Sequence, residues 1–276
     1  MPVRALAAAG SWGASRVATG VVTRAGILDT FGAIDARLPW ASVTKLCTAL
    51  AVLVAVEEGT VSLDDDLGPP GATVRHLLAH ASGLGPDDRG RQLARPGTRR
   101  IYSNAGYELL GEHLARRSRM SFSSYLRAGV LEPLGMQRTS LAGTPAAGAT
   151  GPLGDLVALA AELLSPTLVS PATFELATSV AYPGIDGVLP GFGRQAPCDW
   201  GLGFELKDAK SPHWTGTRNS GRTFGHFGQR GAFLWVDPDA GLACAAACDR
   251  DFGPWAAAAW PSLSDAVLGE VLGGLT

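Results

Sequence analysis

The sequence predicts a mixed α/β fold: a central antiparallel sheet built from both chain ends, flanked by helices, with an all-helical subdomain inserted between. Three observations predict it. Strand-like segments fall at residues 16–34 and 200–248, with helical patterns between them and at the end. The 276 residues are 46% apolar and only 17% charged, where globular chains average about 25% charged. A chain of that length buries a large core without a disulfide or metal staple.

The elements read in order as follows. Residues 16–24 and 27–34 make two strands around a turn at Ala25-Gly26. Residues 42–59 make a helix that stops at Gly59, and its run 46–56 carries no charge. Eleven such residues suit a buried helix and fall short of a membrane span, which needs about 20. Further helices are expected at 74–80, 105–117, 121–128 and 153–164, punctuated by Pro and Gly. Strands return at 200–206, 232–237 and 242–248, the last two joined through Pro238-Asp239-Ala240-Gly241. A final helix is expected at 262–272, with Pro261 at its start. Residues 1–15 leave little room for a helix ahead of the first strand. The expected organisation is one domain over 1–276. Its sheet subdomain combines 1–58 with 170–276, and its helical subdomain covers 59–169. A ligand cleft is expected where the two meet.

Charge and targeting narrow the function. A formal net charge of -2 argues against nucleic acid or an anionic membrane as partner. No signal peptide is evident at the N-terminus, so a cytoplasmic location is expected. The four cysteines, Cys47, Cys198, Cys244 and Cys248, are scattered and read as buried free thiols. Three of the 23 basic residues are Lys: Lys45, Lys207 and Lys210. In a chain that otherwise uses Arg, each Lys invites inspection.

Ser42-Val43-Thr44-Lys45 opens the apolar helix. The i, i+3 spacing puts both side chains on one face. A helix N-terminus favours an oxyanion and lowers a nearby Lys pKa, and the dry surroundings favour a neutral amine that takes the Ser42 proton. Ser also caps helices, so this motif alone does not decide. Tyr102-Ser103-Asn104 precedes another helix. A phenol beside a cationic Lys is expected to favour its phenolate and shuttle protons, and Asn104 to orient Lys45 or bind a carbonyl. An Asn in a turn also caps the next helix. The third element is Gly225-His226-Phe227-Gly228-Gln229-Arg230-Gly231, read as a Gly-rich edge just before a strand. A backbone N–H there, paired with that of Ser42, makes an oxyanion hole.

These three elements in this order resemble the serine β-lactamase-like superfamily, also called β-lactamase/transpeptidase-like. It includes penicillin-binding DD-peptidases, class C β-lactamases, D-aminopeptidases and related carboxylesterases. The segments 74–84, 102–111, 131–136 and 234–238 look like the same family. The resemblance implies that Ser42 is acylated, with Lys45 as its partner. Tyr102 protonates the leaving group and helps activate the deacylating water, and Asn104 completes the second motif. The third motif falls on His226, Phe227 and Gly228, with Gln229 giving the second oxyanion N–H. The family's usual Lys and Thr there help hold a substrate carboxylate. His226 is a weak cation and Phe227 no donor, so β-lactam turnover loses ground to small esters or amides, unless Arg230 compensates.

Other motifs fail their chemistry. His76 and His80 have zinc-ligand spacing but lack the Glu after the first His and a third ligand, so no metal is expected. The glycines at 225, 228 and 231 precede a strand, unlike a dinucleotide fingerprint. Asp64-Asp65-Asp66 reads as a solvated turn, and Trp40, Trp200 and Trp214 as core. The expectation is a serine hydrolase of a small-molecule acyl substrate, without metal or cofactor. The alternatives are a true β-lactamase or DD-peptidase, or a non-catalytic ligand-binding protein on the same scaffold.

Overall fold

A computed structural model describes residues 2–274. The chain enters through a 3-10 helix at Arg4–Ser11, then folds β1 (Val17–Thr23) against β2 (Gly26–Gly32). β3 (Leu38–Pro39) leads through a 3-10 turn at Ala41–Val43 into α1 (Thr44–Glu57). Next come α2 (Val74–Leu78), α3 (Asn104–Ser118) and α4 (Phe122–Leu126), which runs into a π-helical turn at Arg127–Leu131. β4 (Ser140–Leu141) and β5 (Ala149–Gly151) join β3 in a small sheet of order β3-β5-β4. α5 (Leu153–Leu164) and α6 (Pro171–Thr178) precede a hairpin of β6 (Gly187–Leu189) and β7 (Gly193–Gln195). The chain closes with β8 (Glu205–Leu206), β9 (Phe224–Gly228), β10 (Ala232–Asp237), β11 (Leu242–Cys248) and α7 (Pro254–Gly273).

The main sheet has the order β2-β1-β11-β10-β9-β8. Its N-terminal hairpin docks onto β11 in antiparallel register, from Val17 opposite Cys248 to Thr23 opposite Leu242. Both faces are covered, and the side chains alternate accordingly. Ala243, Ala245 and Ala247 of β11 face the core built with α1 and α5. Leu242, Cys244 and Ala246 face the core built with α7 and the N-terminal 3-10 helix. Burial on both faces accounts for the low charge. α1 is apolar around most of its circumference, as a helix enclosed on all sides must be. All four cysteines are buried free thiols. No described helix is long and apolar enough to cross a membrane.

Several expectations need correction. A 3-10 helix does precede the first strand, held by burial of Leu6 and Ala9 in the second core. The last helix begins at Pro254, not at Pro261, which lies inside it. Pro254 is the proline suited to a helix's first turn. Pro261 costs one internal hydrogen bond, and burial of its neighbours Trp260 and Leu263 carries the helix past it. The segment 225–231, read as a Gly-rich edge just before a strand, contributes most of a strand of its own, β9 at Phe224–Gly228. The predicted strand 200–206 shrinks to Glu205–Leu206.

Candidate active site

Ser42 lies in the 3-10 turn that opens onto α1, after Ala41, whose φ of 44° is in the left-handed region. A non-glycine residue there is strained, and strain of this kind collects at functional sites. The turn directs Ser42 into a small cavity. Lys45, one turn on, is fully buried, and its Nζ sits 3.2 Å from Ser42 Oγ. The same nitrogen donates to Asn104 Oδ1 at 2.7 Å and to the Ala146 carbonyl at 2.9 Å. Burial brings Lys45 down to about 7, against the opposing pull of the Asp87 and Glu108 carboxylates. The cause is thus desolvation rather than the helix terminus. A neutral amine has two hydrogens and one lone pair. The two carbonyl oxygens accept only, so they take the two hydrogens and leave the lone pair toward Ser42 Oγ.

Tyr102 and Asn104 sit at the start of α3. The Ser103 hydroxyl accepts from the Gly106 N–H as the helix cap and donates to the Gly85 carbonyl at 2.7 Å. The Tyr102 ring lies 4.8 Å from Lys45 Nζ. Burial pushes the phenol above its usual range, and its hydrogen bond with Ser42 pulls weakly the other way. The expected phenolate is therefore replaced by a phenol at neutral pH, which is a proton donor. Among the described residues no nearby cation offsets that burial.

The third motif arrives on β9. His226 Nδ1 lies 2.7 Å from the Phe227 carbonyl, which only accepts, so Nδ1 carries the hydrogen. The bare Nε2 lies 3.5 Å from the Tyr102 hydroxyl. Burial and the nearby Lys45 push His226 down to about 3, leaving it neutral at physiological pH. Gly228 packs directly on the turn that carries Ser42. A Cβ there would strike the Trp40 carbonyl and come within 3.1 Å of the Ser42 nitrogen. The end of β9, and with it Gln229, is therefore held beside the Ser42 N–H. Phe227 packs into a ring cluster with Trp214, Phe252 and Trp260. Arg230 is exposed and pairs with Asp251 at 3.3 Å.

The cavity holds about 30 Å³, room for a water molecule or two. Leu189, Pro190, Trp200 and Phe227 form apolar walls, with Glu205 and His226 as polar ones. Trp200, read as core, therefore lines the site, while Trp40 and Trp214 are core. The buried Glu205 accepts from Lys210 at 2.5 Å, His213 at 2.9 Å and Trp214 at 2.8 Å. Burial alone would raise this carboxyl, but His213 and Lys210 outweigh it and hold it at about 2. His76 closes a capping box with Thr73, and His80 accepts from the Ser103 N–H behind Tyr102. Sequence reasoning missed Glu205, Asp87 and Arg100. The Arg100 guanidinium is buried and donates to the carbonyls of Ala79, Ala181 and Cys198. It clamps the segment carrying Leu189 and Pro190 to the extended stretch leading into Tyr102. Nothing local marks these three residues, since their partners lie far along the chain.

Comparisons with known proteins show the family and the fold of this chain. The family model described as Beta-lactamase matches residues 7–268. The chain is similar to the crystal structure of a beta-lactamase from Mycobacterium bovis, with 53% identity and a TM-score of 0.94, covering 96% of this chain and 98% of that one. It shares the fold of EstCE1, a hydrolase with promiscuous acyltransferase activity, at 17% identity and a TM-score of 0.79, covering 96% and 97%. Penicillin-binding protein 4* of Bacillus subtilis (strain 168) is 30% identical over 132 residues, which is 36% of this chain and 29% of that protein. The match therefore spans less than a third of that relative's length.

Proposed function

This chain belongs to the Beta-lactamase family, and on that footing we propose that it hydrolyses a small ester or amide through a covalent acyl-enzyme on Ser42. The observation that carries the reading is a buried Lys45 Nζ held 2.7 Å from Asn104 Oδ1, 2.9 Å from the Ala146 carbonyl and 3.2 Å from Ser42 Oγ, which in its neutral form leaves the lone pair for Ser42. Ser42 Oγ attacks the carbonyl carbon as its proton passes to Lys45 Nζ. The tetrahedral oxyanion rests between the N–H groups of Ser42 and Gln229. Tyr102, a phenol at neutral pH, hands its proton to the leaving group and is reprotonated through the amine. Water then attacks the acyl carbon, its proton passes through Tyr102 and Lys45 to Ser42 Oγ, and the acyl–Oγ bond breaks to free the acid.

The pocket favours a short, uncharged acyl group. Its free volume is small, its walls are mostly apolar, and His226 is neutral. A β-lactam brings a carboxylate, and the flanking Arg230 is already engaged by Asp251. A β-lactamase is the second reading, favoured by the 53% identity to the Mycobacterium bovis protein of that name. The test is intact-protein mass and turnover on a panel of a short p-nitrophenyl ester, a D-amino amide and a chromogenic cephalosporin. Fast ester turnover with slow cephalosporin opening is expected, and the reverse supports the second reading. Ser42→Ala should lose nearly all turnover, up to about 10⁶-fold. An alanine variant with wild-type rates on every substrate removes Ser42 from the mechanism. Absence of an adduct with a fluorophosphonate probe favours a binding role.

A further inference from the structure

We propose that Asp87 is a positioning residue for the Ser42–Lys45 pair, holding the Asn104 amide so that its oxygen faces Lys45. The proposal rests on the acyl-enzyme reading and deepens it. Asn104 Nδ2 donates to Asp87 Oδ1 at 2.8 Å, while Asn104 Oδ1 accepts from Lys45 Nζ at 2.7 Å. A side-chain amide can turn over and exchange its oxygen and nitrogen ends. An ionised carboxylate accepts only, so Asp87 admits one of the two orientations. In the other, the amide oxygen would face the Asp87 carboxylate with no hydrogen between them, and the NH₂ group would face the Lys45 amine and compete for its lone pair. Lys45 would then have one carbonyl partner instead of two, and its lone pair would no longer be committed to Ser42.

The loop that carries Asp87 is built onto this end of α3. The Ser103 hydroxyl donates to the Gly85 carbonyl at 2.7 Å, and the Ala105 N–H donates to the Pro86 carbonyl at 3.1 Å. Asp87 is thereby placed by the same residues that place Tyr102 and Asn104. It is exposed, so the relay runs from a solvated carboxylate through one amide to the buried amine. The charge has a second effect. Lys45 is faced by Asp87 and Glu108 as carboxylates, by the rings of Tyr102 and Tyr107, and by the imidazoles of His80 and His226. Both carboxylates favour the ammonium. Removing Asp87 lowers Lys45 further.

The two effects separate in two variants. Asp87→Ala loses both the acceptor and the charge, whereas Asp87→Asn keeps an acceptor and loses the charge. The experiment is the pH dependence of kcat/KM, with KM, on p-nitrophenyl acetate, checked by thermal melting for intact folding. Asp87→Ala should lower kcat by roughly 10–100-fold, the range seen when an orienting partner is lost, with KM within about two-fold. Its acid-side inflection should move to lower pH than the wild type's. Asp87→Asn should recover much of kcat while keeping the displaced inflection. A wild-type rate and inflection in folded Asp87→Ala would overturn the proposal. So would equal losses in both variants with the inflection unmoved, which marks a merely structural role. Ser42→Ala is measured alongside. Turnover retained in it overturns the acyl-enzyme reading and this proposal together. Turnover lost in it, with an unchanged Asp87→Ala profile, overturns this proposal alone.

Discussion

Replacing Lys45 with Met should change how stability responds to pH. In the unfolded chain the amine has its ordinary value of 10.5, and in the folded protein burial holds it near 7. A base whose folded pKa is lowered binds fewer protons in the native state over the interval between the two values. Native stability therefore rises with pH across that interval. With these values the penalty is about 4 kcal/mol at pH 7 and about 2 kcal/mol at pH 9. Met removes the penalty but leaves Asn104 Oδ1 and the Ala146 carbonyl without their donor, at about 1–3 kcal/mol each. The net change at pH 7 is therefore near zero. The pH dependence is cleaner, because the lost hydrogen bonds do not titrate. Between pH 7 and 9 the wild type should gain about 2 kcal/mol on Lys45→Met, or roughly 4–8 °C in Tm at 2–4 °C per kcal/mol. Thermal unfolding of both proteins at pH 7, 8 and 9 measures it, since every other titrating group cancels in the difference. Parallel stability curves would mean that Lys45 is charged in the native state, and the general-base assignment would fall with them.

Three further outcomes follow from the same geometry. Tyr102→Phe should slow turnover by roughly 10²–10⁴, read by steady-state kinetics, and a wild-type rate would remove Tyr102 from proton transfer. Gly228→Ala should fold but lose about 10²–10³ in kcat, because its Cβ pushes on the Ser42 nitrogen and the Trp40 carbonyl; a wild-type kcat would show that this N–H binds no oxyanion. Arg100→Met should destabilise by about 3 kcal/mol or more, since three buried carbonyls lose a charged donor, and proteolysis of the 181–198 segment should accelerate; unchanged melting and cleavage would mean that the clamp holds nothing.

The candidate site was legible where it is local in sequence. Ser42 and Lys45 lie one turn apart, and the Tyr102 to Asn104 triplet sits at a helix start, so spacing carried the information. β10 and β11 were legible for the same reason, through residue type and the turn between them. β9 was not, because Gly225 and Gly228 lower strand propensity. Gly228 is there for its closeness to Ser42, a tertiary demand that local pattern does not express. The helix start went to Pro261 because a proline looks alike at either position until packing chooses. The scarcity of Lys pointed well twice: Lys45 carries the amine, and Lys210 is buried against Glu205. Glu205, Asp87 and Arg100 stayed invisible because each is defined by partners that only the fold brings near.

The contacts that set the Lys45 amine reach across 59 residues to Asn104 and 101 residues to Ala146. In an unfolded or half-folded chain those acceptors are elsewhere, the amine is an ordinary solvated ammonium, and Ser42 is an inert alcohol. If Ser42 is the acylated residue, its nucleophilicity is thus a report of completed assembly. Under the acyl-enzyme reading, the rate at which refolding protein takes up a serine-directed acylating dye counts correctly built molecules. On that reading the amine and the alcohol become a reactive pair only when both halves of the chain have closed around them.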